Sequence, residues 1–166
     1  MPLTPKLDTI DAVESLIQYR FNHTALLWEA LQCSGIIFDS EGQAVLPDGN
    51  KRLAIIGETV LRLALADEWY KRSGTTTDFA VQWVQIGSYE NLQRKGLELG
   101  LERFINTPEY VLAAALRPVG DTVKAILGAI YLDSGLDQVK DVMDALALVS
   151  RERLPAREEP EVIVID

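Results

Sequence analysis

The chain has 166 residues, the size of one domain, and its 48% hydrophobic and 25% charged residues are the composition of a folded protein with an internal core. Its net charge of −9 argues against a surface built for nucleic acid, because phosphate binding draws on clustered Lys and Arg. No run of ~20 apolar residues is free of charge, so no membrane span is expected, and Met1 to Ile10 lacks both the apolar stretch of a signal peptide and the arginines of a presequence, which points to an intracellular protein.

Taken in order, the chain reads as helix after helix, an all-α expectation. A proline-bearing lead-in runs to about Lys6. Asp8 or Thr9 can cap a helix through about Gln18, and Asn22 can cap a second from about His23 to Cys33. Ser34 to Gly49 is rich in Gly, Asp and Pro and reads as a loop, whose Ile36, Ile37 and Phe38 must pack on something. Asn50 to about Arg72 predicts a long helix. Its Leu53, Ile56, Val60, Leu63 and Ala64 recur at helical spacing and mark the inward face, while Ile55, Thr59, Arg62 and Ala66 lie on other faces. Gly57 sits inside it, directly before Glu58. An interior glycine costs up to ~1 kcal/mol against alanine and is tolerated where something approaches the backbone closely.

Gly74 and three threonines break this helix. Thr77 or Asp78 can start the next, ending near Gly87, and Ser88 caps another with Leu92, Leu97 and Leu99 inward, ending at Gly100. Pro108 to about Leu116 is a short helix with proline at its start. Asp121 to Gly135 repeats the character of the long helix: an acid at its start, Gly128 in its middle and Gly135 as the residue that ends it. A last helix is expected from about Leu136 to Arg153. Pro155 and Pro160 then mark an extended tail, which divides the chain into a helical domain, 1–154, and a tail, 155–166. Only Val162 to Ile165 reads convincingly as a strand.

Few isolated residues suggest chemistry. Cys33, the single cysteine, cannot form an internal disulfide and reads as a small buried hydrophobe. His23, the single histidine, falls at a helix start and reads as a surface residue. Trp28, Trp69 and Trp83 fall at amphipathic positions as core or dimer residues. The pairs Lys71-Arg72 and Arg94-Lys95 are more readily solvated helix surface than phosphate contacts.

Two stretches carry more. Asn50-Lys51-Arg52-Leu53-Ala54-Ile55-Ile56-Gly57-Glu58-Thr59-Val60-Leu61 resembles the first signature of the ribonuclease III family, and Asp121-Thr122-Val123-Lys124-Ala125-Ile126-Leu127-Gly128-Ala129-Ile130-Tyr131-Leu132-Asp133-Ser134-Gly135 resembles its second. Tyr19-Arg20-Phe21, Leu26-Leu27-Trp28-Glu29-Ala30-Leu31, Asn91-Leu92 and Gly100-Leu101 extend the resemblance over about Val13 to Leu148. It implies the helical endonuclease-domain fold and a symmetric homodimer formed through the first signature helix. There Ile55 stands where the family carries a phenylalanine, so Ile55 is expected at or near the two-fold contact.

The resemblance also implies a metal site that is damaged here. Family members that cut RNA use four acids per subunit, and this chain keeps two, Glu58 and Asp121. Ala54 and Lys124 replace the other two, and Lys51 replaces a further glutamate outside the metal set. Magnesium demands hard oxygen ligands in near-octahedral array, so Glu58 and Asp121 imply weak or no magnesium binding. Lys124 lies one turn after Asp121 on the same helix face, and its ammonium can pair with Asp121 and, across the helices, with Glu58.

Three readings follow from Glu58, Asp121 and Lys124. The first is a dimeric binding or assembly module whose nuclease chemistry is lost or impaired. The second is a weak magnesium-dependent endoribonuclease for double-stranded RNA. The third is a cleft repurposed around Lys124 to bind or transform a small molecule. The chain ends about where the family's double-stranded-RNA-binding domain would start, and that, with the acidic charge, disfavours RNA. The tail Glu158 to Asp166, with its acidic run before Val162 to Ile165, is expected to dock on its own domain, or failing that to add a strand to a protein partner.

Overall fold

The computed structural model describes residues 7–33, 37–38, 44–45, 48–107 and 119–149. The expected lead-in, the expected helix from Pro108 and the tail lie outside them. Helix α1 spans Leu7–Ile17 and α2 spans Thr24–Ala30. Two short strands, β1 (Ile37–Phe38) and β2 (Ala44–Val45), pair antiparallel with Ile37 opposite Val45. There follow α3 (Lys51–Tyr70), α4 (Thr76–Gly87), α5 (Tyr89–Glu98), a 3-10 turn at Leu101–Arg103, α6 (Val119–Ser134) and α7 (Leu136–Ala145). The fold is all-α, as expected, with the hairpin as a small addition.

Helix α6 is the centre. Val119, Thr122, Val123 and every residue from Ala125 to Ile130 are buried, and it packs against α2, α3, α5 and α7. Its tightest neighbour is α3, and two glycines set their distance. A Cβ on Gly57 would stand 1.7 Å from the Lys124 carbonyl oxygen, and one on Gly128 would stand 2.2 Å from that of Leu53. Backbone therefore lies on backbone at this crossing, which explains both interior glycines.

A buried polar clamp braces the crossing. Asn50 precedes α3, but its side chain does not cap the helix; it donates to the Ala30 carbonyl at 2.9 Å and to Thr122 Oγ1 at 3.1 Å. Gln32 and Asn106 form an isolated parallel bridge, with Asn106 Nδ2 donating to Gln32 Oε1 at 2.9 Å. The Asn50, Gln32 and Asn106 amides thus each find a partner, as burial favours.

Several boundaries differ from expectation. Thr75 caps α4 in a reciprocal capping box with Asp78, so Asp78 is the third helical residue rather than the cap. Asn22 caps nothing; its backbone N–H and side chain both donate to Asp133. Helix α7 stops at Ala145 rather than running towards Arg153. Ala147 takes a left-handed conformation (φ 49°), with Ala147 N–H donating to the Asp144 carbonyl and Leu148 N–H to that of Met143, a helix-ending motif that ordinarily uses glycine. Leu97 is 48% exposed and Leu63 also faces outward, whereas Ala54, Leu61 and Leu65 of α3 are buried. Cys33 and Leu92 are buried as expected.

Candidate functional site

Helix α3 carries Glu58, and the first two turns of α6 carry Asp121 and Lys124. The first turn of α6 is fixed from outside. Gln93 Oε1 accepts from the Gly120 N–H at 2.8 Å, and the Tyr89 ring lies where a side chain at Gly120 would be. Tyr89 also flanks Lys124, whose Nζ is 6.0 Å from the ring centroid. Burial, and then the nearby Asp121 carboxylate, push the Tyr89 phenol above its ordinary pKa.

Lys124 Nζ donates to Glu58 Oε2 at 2.9 Å. The lysine side chain is 13% exposed and the glutamate 53%. The pair is therefore half in water, and a cross-helix contact of this kind is worth roughly 0.2–1 kcal/mol. The expected three-way cluster forms only in part: among the described residues Lys124 pairs with Glu58 and makes no ion pair with Asp121, because its chain reaches outward to α3. Ala54, one turn before Glu58, is buried and supplies no oxygen. Among the described residues no three His, Cys, Asp or Glu side chains gather as a metal-holding group.

Ile55 is 69% exposed on the outer side of α3. Beside it an open groove of about 500 Å³ runs between α3 and α4, lined by Glu58, Arg62 and Leu63 on one wall and by Phe79 and Trp83 on the other. Glu58 thus borders both the Lys124 contact and this groove. Arg62 lies over the Trp83 ring, 5.2 Å from its centroid. The two basic pairs are engaged: Lys71 and Arg72 with Asp67 and Glu68, and Arg94 and Lys95 with Glu98.

The feature the sequence did not disclose is the role of Asp133. Its side chain is fully buried. It accepts from the Tyr19 hydroxyl at 2.7 Å, the Asn22 N–H at 2.9 Å and the His23 N–H at 2.9 Å, and His23 Nδ1 lies 2.9 Å from it. Burial alone would raise its pKa, but these contacts together hold it at about 2. His23 is a surface residue, as expected, yet it is tied to the end of α6. The visible signal was Tyr19-Arg20-Phe21 upstream and Leu132-Asp133 downstream, two fragments of the resemblance that meet in space.

Residues 24–150 match the sequence model of the family described as ribonuclease-III-like. The ribonuclease 3 of Magnetococcus marinus is 29% identical over 145 residues, covering 82% of this chain and 59% of that protein. The ribonuclease 3 of Alkalilimnicola ehrlichii is 29% identical over 162 residues, covering 94% and 65%. The chain spans about three fifths of the length of these curated relatives. The nuclease domain of ribonuclease III from Campylobacter jejuni, in a structure concerned with flexibility in that domain's dimer-forming region, shares the fold with a TM-score of 0.68 at 24% identity, over 82% of this chain and 94% of that one. The matched segment takes in α2 through α7, including the whole α3–α6 crossing, and the chain belongs to the ribonuclease-III-like family.

Proposed function

We propose that this chain is a ribonuclease-III-fold domain that has lost metal-dependent nuclease chemistry and acts as a homodimeric binding or assembly module. The observation that carries this is the 2.9 Å contact between Lys124 Nζ and Glu58 Oε2. A divalent ion shared by Glu58 and Asp121 would have to displace an ammonium already hydrogen-bonded to one of its two carboxylates, and would then stand beside that positive charge. At 4 Å, like unit charges at an effective dielectric of 20 repel by about 4 kcal/mol, and a divalent ion doubles the product of charges. Ala54 removes the oxygen that could offset this. The residues present do not fit a magnesium site.

The homodimer rests on Ile55. A solvent-facing isoleucine next to an open groove lined by Phe79 and Trp83 is an apolar feature that a monomer has no use for. The dimer-forming region of the Campylobacter jejuni domain gives the precedent.

Magnesium titration followed by calorimetry, with cleavage of double-stranded RNA in parallel, tests the reading. The expected outcome is no saturable magnesium binding at millimolar concentration and no cleavage, with Ala54→Glu combined with Lys124→Glu raising magnesium affinity at least about tenfold, which is ~1.4 kcal/mol. Efficient cleavage by the parent chain, abolished by Glu58→Ala or Asp121→Ala, overturns it in favour of a working nuclease.

A further inference from the structure

The outer face of α3 carries charges arranged antisymmetrically about Ile55. Lys51 and Arg52 stand four and three residues before it, and Glu58 stands three after. Asp48 lies seven before, in the turn that leads into the helix, and Arg62 seven after. All five are exposed, and among the described residues neither Lys51 nor Arg52 makes an ion pair. Two unpaired cations beside an exposed isoleucine stand out in a chain of net charge −9.

Helix geometry says what this pattern fits. At 1.5 Å per residue, the cations lie about 5 Å to one side of Ile55 and Glu58 about 5 Å to the other. Two copies packed parallel would set cation on cation. Packed antiparallel with Ile55 near the two-fold axis, each copy sets its Lys51 and Arg52 against the Glu58 end of the other, and its Arg62 against Asp48. Lys51 and Glu58 are seven residues apart, nearly two full turns, so they share one flank of the helix. Arg52 falls on the other flank with Thr59. In an antiparallel pair like flanks meet, so Lys51 is the cation that faces Glu58.

We infer that a second copy of this chain contributes Lys51 to the Glu58–Lys124 pair, so that the carboxylate is held by one lysine in its own chain and one from its partner. This rests on the homodimer reading above and goes beyond it: the assembly completes the charge balance of the site. The replacement at position 51 and the replacement at position 124 then act on the same carboxylate, from opposite sides of the interface. The half-exposed state of Glu58 leaves it room for a second donor.

A charge-swap experiment on the full chain tests this, with association followed by analytical ultracentrifugation in low salt. Glu58→Lys, and separately Lys51→Glu with Arg52→Glu, each place like charges together at both ends of a homodimer. Each is expected to weaken self-association at least about tenfold. An equimolar mixture of the two restores opposite charges at both ends and is expected to form a heterodimer about as tight as the parent. Variants that dimerise like the parent, or a mixture that recovers nothing, overturn the inference. Should Glu58→Lys fail to fold beside Lys124, Lys51→Glu alone decides, since Lys51 is solvent-facing in the single chain. Its dimer must weaken in low salt and the difference must shrink towards ~1 M salt, where the screening length is about 3 Å; an unchanged dissociation constant overturns the inference. A parent chain that is monomeric at micromolar concentration removes the homodimer reading itself, whereas a dimeric parent with indifferent variants removes only the contact proposed here.

Discussion

Asp133 sits in the last turn of the central helix and reaches back more than a hundred residues to the turn between α1 and α2. A buried carboxylate with several donors costs little when all are in place and much when they are left facing an apolar or donor group. Asp133→Asn keeps the size but turns an NH₂ towards Tyr19 or towards the Asn22 and His23 backbone, and is expected to destabilise by about 2–3 kcal/mol in urea unfolding at neutral pH. The pH dependence has a definite sign. The folded pKa of about 2 lies below the ordinary carboxylate value, so the contribution is fully present above about pH 4 and is lost as pH falls towards 2. Stability of the parent measured from pH 5 to 2 should fall more steeply than that of Asp133→Asn. Parallel curves would show that the carboxylate is not what holds the turn. At this scale the sequence was partly legible: it marked Glu58 and Lys124 as partners, and they are. It misjudged Asn22, because a residue that suits a helix cap suits a turn beside a buried acid equally well.

Among the elements, the two signature helices were the most legible, since each combines a long apolar period with an interior glycine whose cost demands a reason. The reason is the crossing of α3 and α6, where Gly128 has the Leu53 carbonyl within what would be its own Cβ shell. Backbone cannot rotate away as a side chain can. Gly128→Ala is therefore expected to cost at least ~3 kcal/mol despite alanine's better helix propensity of about 1 kcal/mol, because the helices must part and α6 is buried nearly all round. Chemical denaturation gives the number, and a stability within 1 kcal/mol of the parent would mean the helices separate without loss. The hairpin at Ile37 and Ala44 was not legible, since two-residue strands are too short to show a period of two. Nor was the outward turn of Leu97, which lines an open groove on α5 with Tyr89, Gln93 and Arg94. Periodicity places a leucine on a face, but only packing says whether another element covers that face.

For the whole molecule the question is where its positive charge sits. Most basic side chains of the described residues are spent on neighbours: Arg20 on Glu14, Lys71 and Arg72 on Asp67 and Glu68, Arg94 on Glu98, Lys124 on Glu58, and Lys140 on Asp67. Among the described residues Lys51 and Arg52 make no ion pair and share one helix face with Ile55, while Arg62 and Arg103 lie against the Trp83 and Phe104 rings; the homodimer proposed above would cover the face of Lys51, Arg52 and Ile55. Phosphate affinity grows with the number of cations that displace counterions, and falls by orders of magnitude with rising salt when that number is several. Against a net charge of −9, Lys51 and Arg52 on the α3 face offer few phosphate contacts. Double-stranded RNA of a few turns is therefore expected to migrate unshifted with micromolar protein at about 0.15 M salt. Lys51→Glu with Arg52→Glu is expected to change nothing in that measurement while loosening the dimer. A retarded band that weakens steeply with added salt, and disappears in that double variant, would mean that the α3 face is turned to phosphate and not to a second chain.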